Sequence, residues 1–124
     1  NARKLAAVIQ AGGYEIVSGG TDNHLFLVDF SNKAFTGKDA QIALEKAGMT
    51  VNKNTVPFDQ KSPFITSGIR VGTPALTTRG MKEPEMAEVG ALMLRVLDHI
   101  QDESAIAETR KAAAALAERF PLYA

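Results

Sequence analysis

Apolar residues at Leu5, Val8 and Ile9 recur at helical spacing through the first ten residues, and Gly12-Gly13 ends the pattern where helix propensity collapses. No capping residue with a lead-in precedes that helix. The chain therefore reads as a piece cut from a longer protein, with residues 1–12 leading in from the missing part. Glu15-Ile16-Val17-Ser18 and the turn formers Gly19-Gly20-Thr21-Asp22-Asn23 follow. His24 to Phe30 is the clearest strand, and its nearly unbroken apolar run predicts burial on both faces or a central sheet position. Thr36 with Asp39 three residues on predicts a capping box. The helix behind it turns Ala40, Ala43, Leu44 and Ala47 inward and closes at Gly48. Thr50 to Asn54 is a short extended piece, and Thr55 to Thr66, with Pro57 and Pro63, reads as a long ordered loop of the kind usually kept for function.

Gly68-Ile69-Arg70-Val71-Gly72 predicts a second strand, whose period of two puts Ile69 and Val71 on one face and Arg70 alone on the other. A long helix opens near Pro84, with Glu83, Glu85 and Glu88 close to its positive end. Its buried stripe is Met86, Val89, Met93, Val96, Leu97 and Ile100. Another helix follows Asp102 through Ile106, Ala113, Leu116 and Phe120, ending before Pro121. Short strands clustered early and long helices at the end define an α+β fold. Its small, mostly antiparallel sheet is covered on one face by helices. There is no regular βαβ alternation.

The 124 residues make one domain of ordinary size, 45% hydrophobic and 23% charged. Fourteen basic residues balance fourteen acidic ones, evenly across both halves, so no basic field exists for nucleic acid or an anionic membrane. The absence of cysteine excludes disulfides, thiolate metal sites and cysteine nucleophiles. No run approaches a membrane span and no signal peptide opens the chain, so a soluble, cytoplasmic domain is expected.

His24 and His99 lie far apart, neither with a second ligand at metal spacing, and no metal site is assigned. Gly19-Gly20 lacks the context of a phosphate loop, no Gly-x-Ser-x-Gly elbow is present, and Met86 and Met93 read as core filling. Arg70 is different. It is the only charge in a small, apolar strand, between two glycines that permit close approach. It reads equally well as a strand arginine facing solvent or a structural carboxylate, and as a two-pronged clamp for a small-molecule carboxylate. Asn54 and Ser62-Pro63-Phe64 offer an amide, a hydroxyl and a ring face beside the long loop, though loops use such residues anyway. Lys53 and Lys61 read as solvated, and Arg79 as structural.

Four stretches occur in register: Val17-Ser18-Gly19-Gly20-Thr21-Asp22-Asn23-His24, Val51-Asn52-Lys53-Asn54, Lys61-Ser62-Pro63-Phe64 and Ser67-Gly68-Ile69-Arg70-Val71-Gly72-Thr73-Pro74-Ala75. Together they resemble the C-terminal part of bacterial serine hydroxymethyltransferases, and the likeness runs to the closing Arg119-Phe120-Pro121-Leu122-Tyr123-Ala124. The resemblance implies a fold-type I, aminotransferase-like enzyme of which residues 1–124 are the small C-terminal domain. It also implies pyridoxal phosphate as cofactor and transfer of a one-carbon unit between serine and tetrahydrofolate, giving glycine and methylenetetrahydrofolate. Carried over by position, Arg70 binds the amino-acid carboxylate, and Asn54, Ser62, Pro63 and Phe64 line the folate site. The parent is then a homodimer or homotetramer.

The family's cofactor-bearing lysine motif is nowhere in this sequence, so no catalytic residue is assigned, and the chain alone is expected neither to hold pyridoxal phosphate tightly nor to turn over. Two other readings remain beside this one. The chain is a free-standing folate- or amino-acid-binding module, or it is an interaction domain, which would bare a large apolar patch on its open sheet face.

Overall fold

In the computed structural model, residues 2–17, 25–49, 51–56, 59–62, 65–72 and 83–118 are described. The opening pattern forms helix α1 (Ala2–Ala11), which buries Leu5 and Ile9 completely and ends at Gly13 with φ 100°, a left-handed value that glycine adopts without strain. Strands β1 (Glu15–Ile16) and β2 (Leu25–Asp29) follow. Helix α2 (Gly37–Lys46) begins with the expected capping box: the Thr36 hydroxyl accepts from the Asp39 N–H, and the Asp39 carboxylate accepts from the Thr36 N–H. Ala40, Ala43, Leu44 and Ala47 are all buried, and Gly48 takes φ 84° at the helix end.

Strand β3 (Asn52–Asn54) and strand β4 (Gly68–Gly72) are joined by residues 55–67, among whose described members there is no helix or strand. Helix α3 (Glu83–Asp98) carries the expected buried stripe, except that Ile100 lies beyond its last residue and is only partly buried. Helix α4 (Glu103–Glu118) starts after Asp102, whose carboxylate accepts from the Ala105 N–H as an N-cap should. The predicted reach of this last helix to Phe120 falls outside the described residues.

The sheet order is β1-β2-β4-β3, antiparallel throughout, as the α+β reading expects. One face packs on the helices. Phe26 and Val28 of β2 and Ile69 and Val71 of β4 are buried there with Leu5, Leu44, Met86, Met93 and Leu97. Of the two readings of the β2 run, the central sheet position is the one observed. The strand is central, but it alternates: Leu27 and Asp29 turn to the other face and are only half-buried, because no described element covers that side. Among the described residues no helix is long and apolar enough to cross a membrane.

Candidate functional site

The expected site residues fall on the uncovered sheet face and one long hairpin, β3–β4. Register places them. Arg70 sits in the middle of β4, between Leu27 of β2 and Asn52 of β3. One row along, Gly68 sits between Asp29 and Asn54. Period two puts all of these on the open face. Asn54 is thus a diagonal neighbour of Arg70, a spacing of roughly 7–8 Å that long side chains can bridge. Sequence alone singled out both residues but had no means of pairing them.

Arg70 is exposed, and no described group hydrogen-bonds or ion-pairs with its guanidinium. The nearest acid by register, the diagonal Asp29, is otherwise committed. Its Oδ1 accepts from both the N–H and the hydroxyl of Ser31 in the turn after β2. A structural carboxylate partner for Arg70 is therefore not found among the described residues. Its five N–H donors are available in the fork geometry that suits a carboxylate.

The Asn54 amide nitrogen donates to the Thr55 carbonyl at 2.7 Å, which fixes the side chain's orientation. Ser62 is exposed on the loop, and its carbonyl closes a turn by accepting from the N–H groups of Ile65 and Thr66. Pro63 and Phe64 lie outside the described residues, as do His24 and Arg79. His99, at the end of α3, places Nδ1 3.1 Å from the Arg95 carbonyl, an ordinary helix-end contact. Lys53 is half-buried and Lys61 exposed.

What holds the loop was not visible in the sequence. Asp59 accepts four hydrogen bonds: Oδ2 from the N–H groups of Val56 and Ser67, and Oδ1 from the Lys61 N–H and the Ser67 hydroxyl. Desolvation pushes its carboxyl up, but the hydrogen bonds from Lys61, Ser67 and Val56 outweigh it and hold the pKa down at about 2. The far end of the loop docks on α2, where the Gly37 and Lys38 N–H groups donate to the Thr66 and Ile65 carbonyls. Those donors at a helix start would otherwise need water. Thr66 is buried with φ 59°, an outlier for a β-branched residue, and its hydroxyl donates to the Gly68 carbonyl.

Gly68 does mark a close approach, but of this chain's own atoms. A β-carbon there would strike the Val28 carbonyl and the Val56 side chain. Gly37 is similar, facing the Gly68 carbonyl and Thr66 Oγ1.

For a phosphate-bearing cofactor the described residues offer no cradle. No described lysine is buried, and the buried polar side chains are Thr66, Ser67 and Thr109. A groove of about 950 Å³ lies elsewhere, between Ala34-Phe35 and the α3–α4 turn at His99–Gln101. It is broad and open, and none of the expected site residues lines it. Among the described residues, the large hydrophobic side chains left exposed are Ile42 and Ile65. Neither belongs to a strand.

These features define a class: an α+β domain whose second sheet face presents, among the described residues, an arginine with no partner beside a pinned hairpin loop. The comparisons show the family to which the chain is similar. The profile of the family described as serine hydroxymethyltransferase matches residues 1–93. The serine hydroxymethyltransferase of Nitrosococcus oceani is 57% identical over 123 residues, covering 99% of this chain and 30% of that protein. The chain belongs to the serine hydroxymethyltransferase family. It spans less than a third of the length of that relative.

Proposed function

We propose that residues 1–124 are the C-terminal small domain of a cytoplasmic serine hydroxymethyltransferase and form the substrate-facing wall of its active site. In this reading Arg70 clamps the carboxylate of serine or glycine, and Asn54 and Ser62, with Pro63 and Phe64, contact tetrahydrofolate. Residues elsewhere in the enzyme hold pyridoxal phosphate, which when bound supplies the electron sink for bonds broken at the amino-acid α-carbon. The parent assembles as a homodimer or homotetramer.

The observation that carries the reading is Arg70, exposed on the open face with no hydrogen-bond or ion-pair partner among the described residues, and beside Asn54 in register. A guanidinium held at its base by ladders on both sides is pre-organised to receive a carboxylate in two parallel hydrogen bonds. That contact fixes the orientation of the α-carbon, and so decides which of its bonds reacts. The diagonal placement of Asn54 lets a second ligand meet the same face without competing for the arginine. Membership of the family supports the assignment of roles.

The test has two arms. The 124-residue chain is titrated with pyridoxal phosphate, then glycine, then tetrahydrofolate, and followed by absorbance. A full-length protein carrying this chain as its C-terminal part is assayed for serine- and tetrahydrofolate-dependent glycine formation. The expected outcome is a flat response from the chain and turnover by the full-length protein. A cofactor spectrum in the chain alone that shifts with glycine would overturn the division of labour. A full-length protein without folate-dependent turnover would overturn the activity.

A further inference from the structure

We propose that Asp59 is a positioning residue for the folate side of the site, holding Asn54 and the Ser62 segment in the geometry that binds folate while leaving the amino-acid clamp independent. This rests on the folate reading of Asn54 and Ser62.

The four hydrogen bonds are distributed in a telling way. Each partner of the carboxylate adjoins, or lies close to, a residue the function needs. Val56 follows Thr55, whose carbonyl fixes the Asn54 amide. Lys61 directly precedes Ser62. Ser67 precedes Gly68, the residue paired with Asn54. One side chain thereby joins the exit of β3, the middle of the loop and the entry to β4. The Asp59 N–H also donates to the Val56 carbonyl, closing the first part of the loop on itself. A connection of this length, with no helix or strand among its described residues, pays a closure cost and samples many shapes unless something ties it. Here the tie is a charge-assisted hub.

Arg70 needs no such tie. It lies mid-strand, paired on both sides by β2 and β3. Loosening the loop therefore separates two properties that a general loss of fold would damage together.

The experiment uses a full-length enzyme carrying this chain, with Asp59→Ala and Asp59→Asn. An asparagine oxygen can accept on one side of the hub, but its NH2 then confronts the donors on the other, so both variants loosen the loop. Three quantities are read: the KM for tetrahydrofolate, glycine binding measured without folate from the cofactor's absorbance, and the thermal midpoint. The expected result is a folate KM raised roughly tenfold or more, with folate-free glycine binding within about twofold of wild type. Asp59→Glu, which keeps the charge, should recover part of the folate KM. An unchanged folate KM in an otherwise active enzyme refutes the positioning role while leaving the folate assignment standing. Parallel losses of folate KM, glycine binding and thermal midpoint also refute it, as a merely structural role. If Asp59→Ala does not fold, Asp59→Asn decides on the same split. Wild-type enzyme lacking any folate dependence would mark failure of the underlying function instead.

Discussion

Arg70→Lys separates binding from stability. Lysine keeps the positive charge and much of the aliphatic stem but replaces a planar fork with a single ammonium. Arg70 is exposed and has no described hydrogen-bond or ion-pair partner, so the folded chain loses nothing it was using. The stability change should stay within about 0.5 kcal/mol. The substrate side is different. Losing one arm of a two-armed, charge-assisted contact costs about 1.5–3 kcal/mol. At 1.4 kcal/mol per decade, this is a fall of roughly 10- to 150-fold in kcat/KM for serine. Arg70→Ala removes the charge as well, and truncation of such a pair costs about 2–5 kcal/mol.

The assay is steady-state turnover of a full-length enzyme with serine varied at saturating tetrahydrofolate, beside a thermal melt. The expected pattern is a large loss in kcat/KM for serine, a folate KM close to wild type and an unmoved midpoint. Arg70→Lys with kcat/KM within twofold of wild type would refute the clamp. A midpoint falling along with activity would show that Arg70 was structural after all.

Acid should act through Asp59. Its folded carboxyl titrates at about 2 against an ordinary 3.8, so the unfolded chain binds the proton first as pH falls. The stabilisation is present above about pH 4 and is lost as pH falls towards 2, and Asp59→Asn should flatten urea-measured stability across that window. Gly37→Ala sets helix propensity, which favours alanine by about 1 kcal/mol, against a β-carbon facing the Gly68 carbonyl and Thr66 Oγ1. The backbone contact has little room to yield, so overpacking of about 1–3 kcal/mol wins and urea unfolding should show net destabilisation. A stabilised Gly37→Ala would mean the loop end moves freely. Thr36→Ala, which breaks the capping box, should cost about 1 kcal/mol in the same assay. Tyr14→Phe removes the 2.7 Å hydrogen bond to Asp98. Burial first, then that neighbouring carboxylate, raise the Tyr14 pKa well above its ordinary 10. Above pH 10 the unfolded chain therefore ionises first and wild-type stability falls, a loss that the phenylalanine variant should not share.

Which of these features could be read from the chain follows from how local their causes are. The capping box needs only Thr36 and Asp39, three residues apart, and the helix ends only a glycine able to take positive φ at Gly13 and Gly48. Arg70's isolation on its own face follows from a period of two over five residues. The neighbours of Arg70 were not readable, because register between β3 and β4 is set across a connection of thirteen residues. Asp59 escaped for the same reason: its donors span residues 56 to 67 and converge only once the loop has its shape. An aspartate between two prolines in a long loop is the available signal, and loops use aspartate in ordinary turns as well. The apolar run of β2 marks its interior place in the sheet, one of the two readings it allowed, without burial on both faces. Leu27 is hydrophobic yet only half-buried, since among the described residues the helices cover one face.

That mismatch bears on how the site is divided. A sheet with helices on one side and an uncommitted arginine on the other is stable through its covered face and functional through its bare one. The two demands fall on alternating residues of the same strands: Phe26, Val28, Ile69 and Val71 build the core, while Leu27, Asp29 and Arg70 turn away from it. Substitutions on the bare face can therefore change ligand binding with little effect on folding, and core substitutions should do the reverse. Asp59 lies outside this alternation, which is why its carboxylate, rather than the sheet, must set the shape of the loop.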